Sequence, residues 1–277
     1  MKFTKMHGIG NDYIYVNCFC EQVEDPAAVA QLLSQRRFAV GADGLILICP
    51  SEVADFQMVM YNADGSRGKM CGNGIRCVGK YVYDRGLTDK TIVTVETLGG
   101  IKTLDFTLKD GVVDSVRVDM GAPIWQPEQV PVIFSGEKML DAPLTVEGKT
   151  WQVSAVSMGN PHLVTFVADV DSLNLEEIGP HFECHEVFPE RVNTEFIQIL
   201  DRENLKMRVW ERGSGETWAC GTGACASFVV ANAMGYCGKA ATLHLRGGDL
   251  LIELAENGHI LMSGPASFVY DGETLML

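Results

Sequence analysis

None of the nine cysteines forms a C-x-x-C pair, no block of like charge exists, and basic residues are scarce. Without the C-x-x-C spacing, and with Cys18 and Cys20 too close together for a knuckle, a zinc site is not expected. The 22 basic side chains are set against 36 acidic ones, a formal net charge of −14. Such a surface repels phosphate backbones and anionic lipid, so neither nucleic acid nor a membrane is an expected partner. The N-terminus shows no secretory pattern, because Lys2, Lys5 and His7 lead straight into Asn11-Asp12. The expectation is a cytoplasmic protein with free thiols. Residues 217–238 carry no charged side chain, yet Gly221, Thr222, Gly223, Ser227, Asn232, Gly235 and Gly238 interrupt the run. A helix buried inside protein fits that composition better than a membrane span.

What is present is a globular composition. The 277 residues are 47% hydrophobic and 21% charged, enough for one large domain or two ordinary ones. The chain is also written twice. At a constant offset of 149 residues, Gly10-Asn11 meets Gly159-Asn160, Asp25 meets Asn174, and Met58–Tyr61 meets Met207–Trp210. In the same frame Asn62 meets Glu211, Cys71–Gly74 meets Cys220–Gly223, and Gly86 meets Gly235. Matches at turn and cap residues in one frame mark a structural repeat. They predict an N-terminal lobe over 1–123, with the tail 264–277 packing on it, and a C-terminal lobe over 124–263. Pro123, Pro127, Pro131 and Pro143 suit a linker and edge strands.

Short β-branched runs spaced by turn residues predict mainly antiparallel sheet. They are Leu45–Cys49, Thr91–Glu96 and Val112–Asp119 in the first lobe, and Phe196–Leu200, Ala241–Leu245 and Leu250–Leu254 in the second. Asp25 and Asn174 read as helix N-caps. One helix stands out in each lobe. The first starts after Gly74, carries Ile75, Val78, Val82 and Tyr83, and stops at Gly86. The second starts after Gly223, is apolar all round and ends at Gly235, the pattern of a helix enclosed by other elements. The expected fold class is α+β: two similar lobes from an internal repeat, each a mainly antiparallel sheet wrapped around a central helix.

The pattern C-G-x-G opens both helices. Glycine lets backbone N–H groups approach a ligand closely, and the helix start favours an anion such as a carboxylate. The same field is expected to lower the pKa of an adjacent thiol. Cys71 and Cys220 are therefore candidate reactive residues, whereas Cys77 and Cys225, further into the helices, read as inert core thiols. A pseudo-twofold relation would set the two helix starts across one cleft. One thiolate could then remove a proton from a carbon while the other thiol returns one to the opposite face. Such a reaction needs no cofactor in principle. His162, after Asn160-Pro161, and the pair Glu211-Arg212, ahead of the second C-G-x-G, are further candidates. The glycine turns also share part of a dinucleotide fingerprint, though the strands around them read as antiparallel. A thiol-redox protein or a non-catalytic amino-acid-binding protein stays open on these residues alone.

The chain closely resembles the diaminopimelate epimerase family. The motifs are H-G-I-G-N-D at 7–12, G-A-D-G at 41–44, Y-N-A-D-G-S at 61–66, C-G-N-G-I-R-C at 71–77, G-N-P-H at 159–162, N-T-E-F at 193–196, E-R-G-S-G-E-T at 211–217 and A-C-G-T-G-A-C at 219–225. The resemblance implies a homodimeric, pyridoxal-independent enzyme that interconverts LL- and meso-diaminopimelate, with Cys71 and Cys220 as acid/base residues. It implies that Gly72, Asn73, Gly221 and Thr222 hold the reacting carboxylate and that Glu211 and Arg212 lie near the amino group. Asn62, Asn160, Asn193 and Arg212 would read the distal end, with Asn11 nearby. His162 and Glu211 resemble residues that tune the thiols, and Tyr270 matches a position tied to dimerisation. Some family members have Gln where this chain has Gly44, so a side-chain contact is missing there. Proline and hydroxyproline racemases resemble the chain in their paired cysteines, and they usually have His where Asn73 stands.

Overall fold

The computed structural model describes residues 1–275; the last two residues of the predicted 264–277 tail lie outside the described residues. Backbone contacts divide the chain into two compact units, Met1–Asp119 together with the chain from Ser263 onward, and Met120–Met262. The first unit comprises β1 (Lys2–Gly8), β2 (Asn11–Asn17), α1 (Pro26–Leu33), β3 (Gly44–Cys49), β4 (Phe56–Asn62), β5 (Arg67–Gly68), α2 (Gly72–Asp84), β6 (Ile92–Thr97), β7 (Gly100–Lys109) and β8 (Val112–Gly121). The second comprises β9 (Ala142–Val146), β10 (Lys149–Ser157), β11 (Pro161–Phe166), α3 (Leu175–Glu183), β12 (Asn193–Ile199), β13 (Asn204–Glu211), β14 (Gly215–Thr217), α4 (Gly221–Ala233), β15 (Ala240–Leu245), β16 (Gly248–Leu254) and β17 (Ile260–Gly264). The last strand, β18 (Ser267–Glu273), pairs with β1 in the first unit.

The repeat is visible in the ladders. In the first unit β18 pairs antiparallel with β1, β1 with β2, β3 with β4, and β6 with β7; the β2/β3 and β4/β6 pairings are parallel. In the second unit β9, β10, β11, β12, β13, β15 and β16 repeat that series with the same two parallel steps. Pro143 sits in β9, which pairs with β10, as a proline needs a place where its missing N–H does no harm.

Each sheet holds a helix against its apolar side. Ile75, Val78 and Val82 of α2 are fully buried. In α4 every residue from Gly223 to Ala231 is buried, so the all-round apolar pattern has its physical cause. At 13 residues α4 is too short for a bilayer, and among the described residues no helix is long and apolar enough to cross one. Both helices start three residues earlier than expected, at Gly72 and Gly221, with Cys71 and Cys220 as the capping residues. The glycines therefore lie inside the first turn, where low propensity is tolerated because the cysteine caps it. Gly86 and Gly235, just past the helix ends, adopt φ +71° and +75°, the left-handed conformation that stops a helix.

Strand β12 begins at Asn193, three residues before the apolar run that announces it. Asp25 caps α1 through Ala28 N, 3.1 Å away, but the Asn174 side chain turns to Glu177 and makes no cap bond. In the second unit Trp151, Phe182 and Phe196 pack edge to face with centroids 5.2–6.1 Å apart. Each such ring contributes about 1.5–3 kcal/mol by burial.

Candidate active site

In the first unit the Cys71 Sγ accepts a hydrogen bond from Gly74 N at 3.3 Å and donates to Asn11 Oδ1 at 3.2 Å. Asn11 is held in turn by Asp43, whose Oδ2 accepts from its Nδ2 at 2.7 Å. Arg36 binds both Asp12 and Asp43. Burial would raise Asp12, but hydrogen bonds from Arg36 and Lys5 outweigh it and hold that carboxyl below its ordinary range. Asp43 goes the other way, raised by burial and by the neighbouring charge of Asp12. Asn73 is buried, and its Oδ1 accepts from Arg76 Nη1 at 2.9 Å. The amide oxygen of Asn73 is thus taken up within the protein.

Gly44 pairs with Asn62 across β3 and β4. A Cβ at Gly44 would lie 2.1 Å from the Tyr61 carbonyl oxygen. No side chain fits there on this backbone, which explains why glycine and not glutamine occupies the position. The Asn62 side chain donates to Ser66 Oγ at 2.9 Å.

In the second unit Cys220 is 5% exposed, its Sγ accepting from Gly223 N at 3.4 Å and lying 3.6 Å from Thr222 Oγ1. Here the structure corrects an expectation. Burial pushes this thiol well above its ordinary value, and the charges of Glu211 and Glu195 push it further. The Thr222 and Gly223 hydrogen bonds act in the expected direction but lose to desolvation and two carboxylates. Glu211 accepts a hydrogen bond from Thr217; burial, reinforced by Glu195, raises its pKa despite that bond.

The raised Glu211 has a consequence for stability. Below its unfolded pKa the group is protonated in both states and costs nothing. As pH rises, the folded state resists ionisation and stability is lost through the folded pKa. Glu211→Gln should therefore gain melting temperature over the parent near neutral pH, lose that gain below about pH 4, and lose activity. Melting curves of both proteins across that range test it; a difference that does not change with pH contradicts it.

His162 is fully buried, with Nδ1 2.7 Å from Glu195 Oε1 and Nε2 3.0 Å from Asn160 Oδ1. Asn193 accepts from Arg212 N at 2.9 Å and donates to Pro161 O at 3.0 Å. It thereby ties the Glu211-Arg212 turn to β11. Glu183 supports the same turn, accepting from Gly213 N at 2.9 Å and from Trp210 Nε1 at 2.7 Å. The second unit thus gathers Cys220, Thr222, Glu211, Arg212, His162, Asn160 and Asn193, and the first gathers Cys71, Gly72, Asn73 and Asn11. Tyr270 is apart from both groups, on β18, 44% exposed and edge-on to Phe3 at 6.0 Å. Cys77 and Cys225 are fully buried. Arg246 pairs with Glu216.

Three contributors escape sequence reasoning: Asp43, Arg76 and Glu195. Arg76 is fully buried, donating to Gly72 O at 3.2 Å, Asn73 Oδ1 at 2.9 Å and Pro265 O at 3.2 Å. A charge next to Ile75 on an otherwise apolar helix face was the available signal. Glu195 follows Asn193 and Thr194 in β12, just before Phe196, and the sequence carries no comparable signal for it.

The arrangement of two units of like topology belongs to a known fold. A hydroxyproline epimerase from Agrobacterium vitis with bound trans-4-OH-L-proline shares it at TM-score 0.69 and 16% identity, covering 98% of this chain and 90% of that one. A Bacillus anthracis phenazine biosynthesis protein of the PhzF family shares it at TM-score 0.73 and 17% identity, covering 100% and 99%. At those identities the likeness is one of fold. Sequence goes further. The diaminopimelate epimerase family model matches residues 3–126 and 154–269. Diaminopimelate epimerases from Acetivibrio thermocellus and Methanococcus maripaludis are 57% and 52% identical to this chain over 274 residues, covering 99% of it and 98–99% of their own lengths. The chain belongs to the diaminopimelate epimerase family.

Proposed function

We propose that this chain interconverts LL- and meso-2,6-diaminopimelate without a pyridoxal cofactor, as a step in lysine and peptidoglycan precursor synthesis in the cytoplasm. The observation that carries the reading is the pair of N-cap cysteines, Cys71 and Cys220, each bonded to a glycine N–H of its own helix start. The α-carboxylate is held by first-turn N–H groups at Gly72, Asn73, Gly221 and Thr222. One cysteine, as thiolate, takes the α-proton; the other, as thiol, donates a proton to the opposite face. The reverse reaction exchanges their roles. Burial favours the protonated form at Cys220, which suits it to the donor role in the resting enzyme.

The distal end of the substrate carries a second α-amino acid. Asn62, Asn160, Asn193 and Arg212 supply amide and guanidinium groups for it, and Arg212 suits a carboxylate because its fork binds two oxygens. A substrate without that end would forgo these contacts. We also propose a homodimer through β18, where Val269 and Tyr270 are 53% and 44% exposed.

The test is incubation of the reduced protein with LL-diaminopimelate in D2O, with proline in parallel. Meso product carrying one solvent deuteron at the inverted centre supports the reading. Inversion of proline instead, or no exchange with either compound, refutes it.

A further inference from the structure

We propose that Glu195 is a positioning residue for the second thiol: its carboxylate, set between the His162 ring and the Gly223 backbone, orients His162 and fixes the electrostatic setting of Cys220. The inference rests on the reading of Cys220 as an acid/base residue. All the groups involved lie within the second unit.

Glu195 is fully buried on β12. Its Oε1 is 2.7 Å from His162 Nδ1. The other ring nitrogen faces Asn160 Oδ1 at 3.0 Å. With one ring nitrogen on Glu195 and the other on Asn160, the plane and orientation of the His162 ring are fixed. On its other side the carboxylate meets the helix start. A Cβ on Gly223 would lie 2.5 Å from Glu195 Oε1 and 3.2 Å from Cys220 Sγ. Glycine at 223 is therefore what lets the carboxylate and the thiol share one corner. The remaining oxygen, Oε2, is buried and has no hydrogen-bond partner among the described residues.

A buried, half-satisfied carboxylate is a poor way to build a stable turn. The repeat supplies the comparison. At the offset of 149, Glu195 corresponds to Ile46, His162 to Tyr13 and Gly223 to Gly74. In the first unit a Cβ on Gly74 would lie 2.6 Å from Ile46 Cδ1, so the same cysteine-capped turn packs on hydrocarbon. The turn needs a close neighbour but no charge. The charge at 195 therefore serves Cys220 rather than the fold.

The other groups facing this corner are accounted for. His162 comes from β11, Glu211 from the end of β13 and Cys220 from the start of α4. Glu183 of α3 is taken up by Trp210, Gly213 and Arg191. Glu195 and Glu211 both oppose ionisation of Cys220.

The experiment uses the full chain, with Glu195→Gln as the first variant. Its melting temperature is expected to stay close to the parent's. KM for diaminopimelate should change little, kcat should fall about tenfold or more, and the pH profile of kcat/KM should move by about half a unit or more. Alkylation of Cys220 by iodoacetamide, followed by peptide mass spectrometry across pH, should show a midpoint moved by a similar amount. Parental kcat and parental titration of Cys220 overturn the proposal, as does a loss of stability and kcat together with an unmoved titration. If Glu195→Gln does not fold, the double variant Glu195→Ile with His162→Tyr installs the first unit's own pair. It is expected to fold and be inactive; full activity overturns the proposal. The alkylation readout needs no substrate, so it stands apart from the reading of the reaction. A parent protein inactive on diaminopimelate refutes that reading alone.

Discussion

Replacing Cys71 or Cys220 by alanine should each abolish measurable epimerisation, a loss of about 10²–10⁴-fold or more in kcat. The reason is stereochemical. Inversion requires a proton to leave one face of the carbon and another to arrive at the opposite face, so neither thiol can cover for the other. Each cysteine is also the N-cap of its helix, accepting from Gly74 N or Gly223 N. Alanine removes that bond, at a cost of about 1 kcal/mol, too little to unfold either unit. Activity and melting temperature should therefore separate: near-complete loss of the first with a small drop in the second. Rates of meso formation and a thermal melt on each single variant decide it. Either variant working within about tenfold of the parent would sink the two-base reading.

Arg76→Met should produce the largest loss of stability. The guanidinium is fully buried and satisfies the Gly72 carbonyl, the Asn73 side chain and the Pro265 carbonyl. Methionine fills much of the volume but donates nothing from its side chain, so the Asn73 and Pro265 oxygens lose this donor while the Gly72 carbonyl keeps only its helix bond. Each lost bond costs about 1–3 kcal/mol, which places the total at about 3 kcal/mol or more. A drop of roughly 10 °C in melting temperature follows for a chain of this size. Activity should fall as well, because Gly72 and Asn73 form the turn proposed to hold the carboxylate. Differential scanning calorimetry of parent and variant tests this. An unchanged melting temperature would mean that water reaches these acceptors and that Arg76 is not structural.

The two helix starts were legible because capping and turn chemistry act over three or four residues. Cys71 and Cys220 stood at equal places in a repeat, followed by glycines that few other roles explain. The apolar runs mark the strands, whose ends lie up to three residues from the runs, as at Asn193, where polar residues begin a buried strand. Asn174 stands at the N-cap of α3 as its sequence position predicts, but its amide pairs with Glu177, one helical turn away, instead of capping the helix N–H groups. Glu195 follows Asn193 and Thr194 in the polar opening of β12, where nothing local tells what it faces.

The order of elements, the duplication and the identity of the two capping thiols were determined by the sequence itself, since propensity, caps and glycine turns depend on near neighbours along the chain. The direction of the Cys220 shift, the His162–Glu195 pairing and the crowding at Gly44 were decided only by the tertiary structure. Desolvation and Coulomb interaction depend on every group packed around an atom, and at Cys220 burial with two carboxylates outweighs the helix-start field that the local sequence led one to expect.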